Sequence, residues 1–536
     1  MSFEVKKLKS NPGPMDYDEL IHDINKGTLK IPDFQRNVVW KLEQTIELLD
    51  SIAKGFPVGT FIFWETNEVM KSHREIGNLE LTEVPEGHFV NYILDGQQRI
   101  TSLYACLNKA EINGKKYSVY CDLDASFEVD LFHDKDIEPL EPYRFINIAD
   151  ILGEDHRKIY NKLTDDRQLR FDSIRDAFRY YKFSTITIKE CPLDMACEIF
   201  ERINTTGTEL DIFDIMVAKT WTYDFDLRVK YKNFVKELQK KGFDGIGSSA
   251  ILQSVSGILK GGIHRRDILS IGREEMNENW DQCIRAIRHA IDFIRDDIGI
   301  KVWKLLPYPV IIAPIAYFYY YNEFKNPNMD QSENLKKFFW GVCISRAYSL
   351  GGDTQIKRDI KFMDKILEHE NPQFDYHVIL DKETLIDCKL SLGDAFCKTV
   401  LCYLASKRPR KFENNGLVNL ENNNLARANS KHYHHFFPKS YLKKTGRADN
   451  ANSVVNICLI PADSNLRISN KKPSDYLSEI ENCKKPERCN KKLIETLRSH
   501  LICDYDDFGI SGDDYDKFLD ARAQLIFEGL MKRVSK

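Results

Sequence analysis

Residues 92–101, "YILDGQQRIT", join an apolar extended run to a glycine turn and then to polar residues that open a helix. A strand is expected to end near Leu94, Asp95 and Gly96 to turn, and Gln97 to Leu107 to continue as a helix. A glycine at a strand-to-helix turn lets the backbone approach a ligand closely, and the N–H groups of a first helical turn attract anions. Arg99 would stand near such an anion. Asp95 has two readings, a cap for the helix or a holder of the divalent ion that accompanies a phosphate.

Outward from this stretch, β-rich runs (Val58 to Trp64, His88 to Leu94, Tyr117 to Leu123, Ser184 to Ile188) mix with helical segments such as Leu42 to Ala53, an α+β pattern over residues 1–222. From 223 to 406 the strand signals fade and helical periodicity dominates, as in Asn277 to Asp296 and Asn334 to Tyr348. The longest apolar stretch, Leu305 to Tyr321, is broken by Pro307, Pro309 and Pro314 and is shorter than the ~20 residues of a membrane span, so it reads as a buried core helix. A basic cluster, Lys407 to Lys411, and an Asn-rich stretch, Asn414 to Asn429, then lead into a His- and Asn-rich module within 407–536. No fixed-period repeat is present, which excludes a solenoid.

With 42% apolar and 29% charged residues in 536, the chain can bury several cores, and bulk disorder is excluded. The 13 cysteines show no regular spacing and the N-terminus lacks a secretory leader, so reduced thiols in a cytoplasm are expected. The net charge of −4 is unevenly spread: residues 401–500 hold 19 Lys+Arg against 9 Asp+Glu, which is +10 and leaves −14 for the rest. A basic region on an acidic body points to a local polyanion contact. No heptad run specifies an oligomer, although chains of this charge pattern often self-associate into homo-oligomers.

Two more stretches bear on the first. "IPDFQRNVVW", residues 31–40, sets Gln35 and Arg36 between apolar residues, a setting in which a guanidinium calls for an anionic partner. In residues 200–221, the Asn204-Thr205-Thr206-Gly207 turn ends one helix, and Asp211 or Asp214 begins another. Its hydroxyls and amides could line a polar pocket or simply cap a helical joint. In this order, Phe34-Gln35-Arg36 with Trp40, Asp95-Gly96-Gln97-Gln98-Arg99, and Ile203-Asn204-Thr205-Thr206-Gly207 with Leu210 resemble the DGQQR-motif domain. That domain is a ParB- and sulfiredoxin-like α+β fold at the N-terminus of GmrSD-type modification-dependent restriction proteins. The resemblance implies binding and hydrolysis of a nucleoside triphosphate, with Asp95 and Arg99 catalytic and Gln35, Arg36, Asp95 to Arg99 and Asn204 to Gly207 around the nucleotide. A G-x-x-x-x-G-K-[ST] loop is absent, so a P-loop mechanism is not indicated. Because Asp95 and Arg99 lie at a turn, Asp95→Ala or Arg99→Ala is expected to impair nucleotide turnover before folding.

The second informative stretch spans residues 432–477, "HYHHFFPKSYLKKTGRADNANSVVNICLIPADSNLRISNKKPSDYL". His434 and His435 end a short strand ahead of a proline, an apolar strand from Ser453 to Ile460 carries Asn456, and a helix carries Asn465. The pattern resembles the HNH, or ββα-metal, nuclease motif, with the Asn-Lys-Lys-Pro run from Asn470 to Pro473 at its C-terminal edge. Hydrolysis of a phosphodiester needs an activated water and a cation to take up charge on the phosphate and leaving oxygen. By place in the motif, His435 is the general base, His434 and Asn465 ligate Mg2+ or Mn2+, and Asn456 orients the loop and the His435 ring. Histidine in place of the usual Asp at 434 leaves the metal preference open. A zinc centre from Cys483, Cys489, His500 and Cys503 is a weaker alternative, since its spacings match no common pattern.

The sequence thus predicts three domains: a DGQQR-motif domain (1–222), an all-α domain (223–406) and an HNH domain (407–536). It predicts a nucleotide-regulated, metal-dependent HNH endonuclease with NTPase activity that acts on modified duplex DNA in phage defence and has no membrane span. A regulatory DNA-binding protein with a non-cleaving module, and an RNA-cutting toxin, are the alternatives.

Overall fold

The computed structural model describes residues 9–534 apart from 33–39, 69, 71, 73–74, 77, 86, 113, 127, 135–142, 204–210, 223, 350–351, 371, 373–375, 421–431, 448 and 484–488. Gln35, Arg36, Asn204, Thr205, Thr206 and Gly207 therefore lie outside the described residues. The chain divides into two compact units, Met1–Leu227 and Arg228–Lys536. The expected helical stretch from Arg228 onward and the expected ββα module fall within the second unit.

The first unit is built on a five-stranded sheet of β1 (Lys9–Asp16), β2 (Leu29–Lys30), β3 (Thr60–Thr66), β4 (Val90–Asp95) and β5 (Lys182–Lys189). The order is β1-β5-β3-β4-β2, with β5/β3 and β2/β4 parallel and the other pairs antiparallel. Period-2 alternation on β3 turns Phe61 and Phe63 inward to a core with Leu49 and Ile52 of the Leu42–Ala53 helix and Ile174 and Phe178 of the Asp165–Arg179 helix. Each such side chain contributes about 1.5–3 kcal/mol on burial. Between β3 and β4 the register slips, Ile62 facing Asp95 and Phe63 facing Ile93, so Leu94 is an extra residue. This bulge kinks the end of β4 where the Asp95-Gly96 turn begins.

Among the described residues of 223–406 no strand occurs; one isolated bridge links Lys389 to Ser453. Long helices such as Arg273–Phe293, Ile312–Tyr321, Met329–Ser345 and Gly352–Leu367 carry this part. Two details differ from expectation. The Leu305 to Tyr321 stretch begins at the end of one 3-10 turn, Trp303–Leu305, and forms a second, Pro309–Ile311, before its helix, consistent with its prolines, and the Met329–Ser345 helix stops at Ser345 because Arg346 takes the left-handed conformation, φ 59°. No helix among the described residues is long and apolar enough to cross a membrane.

A buried carboxylate ties this part together. Asp359, fully buried, accepts hydrogen bonds from Tyr348 Oη (2.6 Å), Tyr376 Oη (2.6 Å) and Gln355 Nε2 (3.0 Å). Burial raises its pKa above the usual carboxylate value. Asp359→Asn turns one acceptor into a donor facing a tyrosine hydroxyl, and should cost about 1–3 kcal/mol in urea unfolding. An unchanged midpoint would show that the hydroxyls find other acceptors.

Candidate functional site

The Asp-Gly-Gln-Gln-Arg turn takes the expected strand-turn-helix form, with the helix at Gln97–Leu107. Gly96 is required here: its φ is 94°, and a Cβ would lie 2.4 Å from the Phe61 ring. Gly96 is itself the N-cap and receives no side-chain hydrogen bond, so Asp95 does not cap the helix. Asp95 instead pairs with Arg99 at 3.0 Å.

Arg99 points into the protein as well. It donates to the carbonyls of Val58 (2.6 Å) and Thr60 (3.2 Å), and its guanidinium lies 5.1 Å from the centre of the Phe61 ring. Gly59, at φ 84°, makes room for it, since a Cβ there would sit 2.4 Å from Arg99 Nη1. Arg99 is therefore a clamp that closes the start of β3 onto the turn. These contacts weigh against the expectation that Arg99→Ala impairs nucleotide turnover before folding: the variant leaves two carbonyls and Asp95 short of a charged donor and should cost the first unit about 2–3 kcal/mol. Denaturant unfolding tests this, and a parental midpoint would restore the expectation. Gln98 Oε1 accepts the Trp40 N–H at 3.3 Å, which links the turn to the end of the 31–40 stretch.

The second constellation is a ββα unit: β6 (Tyr433–His435) paired antiparallel with β7 (Ile457–Leu459), followed by the Ala462–Ile468 helix. Asn456 is not on the second strand but in the 3-10 turn Val454–Asn456 before it, because Ser453 Oγ accepts the Val455 N–H and tightens the chain. Fully buried, Asn456 accepts from the Phe437 N–H (2.9 Å) and donates to Phe437 O (2.9 Å) and Ala451 O (3.1 Å). It staples the two sides of the loop. The His435 ring is held instead by Asn452, whose Oδ1 lies 3.1 Å from Nε2.

His434, His435 and Asn465 meet at one cavity of about 300 Å³, with Pro438, Lys439, Ser440, Ser469 and Asn470 on its walls. His434 Nδ1 is 2.8 Å from Asn465 Oδ1. The contact is a hydrogen bond from His434 Nδ1–H to the amide oxygen of Asn465. Two donors sharing an octahedral ion at 2.0–2.1 Å also stand about 3 Å apart, so the pair fits adjacent metal ligands once a cation displaces that hydrogen. The donor set is one imidazole and one amide, both neutral, which suits Mn2+ better than a harder ion. His434 Nε2 is buried with no hydrogen-bond partner, and the rings of Phe412 and Tyr476 stand edge-on to the imidazole at 6.1 and 6.0 Å. Aromatic packing thus fixes a ring that a ligand histidine more often anchors through an acceptor. Ser469 ends the Asn465-bearing helix with φ 54° and ψ −120°, a strained position on the cavity wall.

Burial pushes His434 down to about 3 and His435 down to about 4; the Asn452 bond opposes the second shift and the Lys439 charge adds to it. Both imidazoles are neutral at pH 7. His500, buried and donating from Nε2 to Arg410 O at 2.8 Å, is likewise pushed down to about 4 by burial. Below its ordinary value of about 6.5 the unfolded chain takes up this proton and the folded chain does not, so stability present above 6.5 is lost as pH falls toward 4. His500 alone should cost the second unit about 2 kcal/mol between pH 7 and 5. Urea unfolding at pH 7, 6 and 5 should show this slope, and a His500→Phe variant with the same slope would refute it.

Among the described residues no three His, Cys, Asp or Glu side chains gather as a metal site, and the Cys489 thiol donates a hydrogen bond to Glu481 O.

A mixed sheet carrying a glycine-hinged turn, and a ββα unit with a His-His-Asn cavity, give each of the two compact units a candidate site. Residues 17–221 match the family described as GmrSD restriction endonuclease, N-terminal domain, so the GmrSD-type resemblance of the first unit holds, and the match supports kinship with GmrSD-like restriction endonucleases. An uncharacterised protein of Methanocaldococcus jannaschii is 24% identical over 602 aligned positions, which cover 96% of this chain and 98% of that protein.

Three residues of the second constellation escaped the sequence: Asn452, Lys439 and Arg522. Asn452 and Lys439 sit in plain loop and helix positions with no signature. Arg522, fully buried and donating to the carbonyls of Val455 and Ile457 on either side of Asn456, is one of many arginines until the fold buries it.

Proposed function

We propose that the chain is a metal-dependent HNH endonuclease acting on duplex DNA, modified DNA above all, in the cytoplasm, under control of a nucleoside triphosphate handled by the first unit. One observation carries the reading: His434 Nδ1 and Asn465 Oδ1 stand at adjacent-ligand distance on the same small cavity as a neutral His435 and the cation Lys439. With Asn452 Oδ1 as acceptor, the His435 Nε2 holds the hydrogen and Nδ1 keeps the lone pair. Nδ1 then takes a proton from the attacking water. A phosphate entering the cavity brings negative charge beside the ring and raises its basicity from the low resting value. Lys439 supplies a fixed positive charge for the phosphate oxygens. His434 and Asn465 would hold Mg2+ or Mn2+, which supplies Lewis acidity toward the phosphate and the leaving oxygen.

In this reading control by nucleotide belongs to the Asp95 to Arg99 turn, where Asp95, Gln97 and Gln98 would bind the nucleotide and Arg99 holds the turn. Phosphate contacts carry no sequence information, so selectivity for modified DNA must come from contacts outside the His435 cavity. The test is cleavage of unmodified and hypermodified phage DNA, single-stranded DNA and RNA, with Mg2+ or Mn2+ and with or without each triphosphate. Metal-dependent cutting of duplex DNA supports the reading; turnover of nucleotide with no cutting of any substrate moves it to a regulatory DNA-binding protein.

A further inference from the structure

Within the second unit a cleft of about 1080 Å³ opens where several segments converge: the end of the Leu227–Gln239 helix, the π-helical turn Ile294–Ile298, the end of the Ala395–Ser406 helix, residues 417–420, and the last helix. It is distinct in its lining from the His435 cavity. Six cations line it, Lys240, Lys241, Arg295, Lys301, Arg408 and Arg533, against the carboxylates of Asp244, Asp296 and Asp297.

Ion pairing consumes only part of this charge. Lys241 is held by Asp292, at 2.6 and 2.8 Å, and Arg295 and Lys301 share Asp296 at 3.2 and 2.9 Å. No carboxylate among the described residues pairs with Lys240, Arg408 or Arg533. Arg533 lies over the Trp340 ring, 5.6 Å from its centre, and Lys240 and Arg408 are exposed.

Two backbone irregularities fall on the same cleft. The Arg273–Phe293 helix widens into the π turn at its rim, a form concentrated at functional sites. Arg408 sits in the left-handed region at φ 54°, which a non-glycine residue rarely adopts. Pro409, Leu417 and Val418 add apolar surface to the same lining, with Leu417 exposed by 48%. Surplus positive charge beside an apolar face suits a ligand that is charged on one side and flat and apolar on the other.

We propose that this cleft is a second binding site, which takes the phosphate groups of nucleotides while sugar or base rests on the Leu417 wall. The same chemistry comes from two sources, the backbone of a nucleic-acid strand or a free nucleoside triphosphate. The site does not depend on the cleavage reading.

The experiment uses the full chain, parental and Lys240→Glu/Arg408→Glu, with thermal melting to confirm an unchanged fold. Fluorescence anisotropy with a labelled duplex oligonucleotide is read over a salt series without divalent metal, and in parallel with a labelled nucleoside triphosphate. If a strand binds, DNA affinity of the variant falls at least tenfold at low salt, and the log–log salt slope shrinks by about two. If free nucleotide binds, its affinity falls tenfold or more while the DNA isotherm stays parental. Parental affinity and slope for both ligands in the variant, a loss of DNA affinity with unchanged slope, or no binding of either ligand by the parental protein each overturns the proposal. Cutting by the parental protein, assayed alongside, bears on the His435 cavity alone.

Discussion

Arg522→Ala is expected to cost the second unit about 3–5 kcal/mol, a large part of the 5–15 kcal/mol that holds a typical domain folded. Arg522, on the Tyr515–Val534 helix, is fully buried, and no carboxylate among the described residues pairs with it. Its guanidinium donates to Val455 O, to Ile457 O at 2.8 Å and to His500 O at 3.1 Å. Two of these carbonyls flank Asn456, so one side chain far along the sequence holds the turn that staples the His435 loop. Each hydrogen bond from a charged donor contributes about 1.5–3 kcal/mol, offset by the cost of burying the cation itself. Arg522→Met keeps most of the volume without the donors and separates hydrogen bonding from packing. Hydrogen exchange across residues 433–459 should rise in both variants; Met at parental protection would show that packing alone holds the turn.

His435→Ala is expected to lower cleavage by about 10²–10⁴-fold, the range of a general base, with DNA affinity nearly unchanged. The imidazole is half-buried, neutral at pH 7 and fixed by one hydrogen bond to Asn452, so its removal takes away a proton acceptor and little of the core. Asn452→Ala leaves the base present but free to rotate and should give an intermediate loss, with a changed pH profile. Cutting by His435→Ala at the parental rate would remove the base assignment, whereas a matching loss of DNA binding would make His435 a binding residue.

Legibility differed between the two sites for a physical reason. The turn was readable as strand, Gly and helix because those features are local, and the helix Gln97–Leu107 fell where its pattern placed it. What Arg99 does was not readable, since its acceptors, Val58 and Thr60, lie about 40 residues earlier, in the loop before β3 and at its first residue. Likewise Asn456 read as a strand residue that orients the histidine, whereas the Ser453 turn draws it off the strand and leaves that part to Asn452.

By itself the sequence determined the element types, the α+β then helical order, the charge asymmetry and the residue classes at both sites. These follow from local propensity and periodicity, which act over a few residues. Only the tertiary structure decided which donors meet which acceptors. It drew His434 and Asn465 to 2.8 Å, spent Arg99 on the start of β3, buried Arg522 with no counter-charge among the described residues, and gathered the cations of the second cleft from segments nearly 300 residues apart. Such contacts join residues remote in sequence through packing, and no local pattern encodes them.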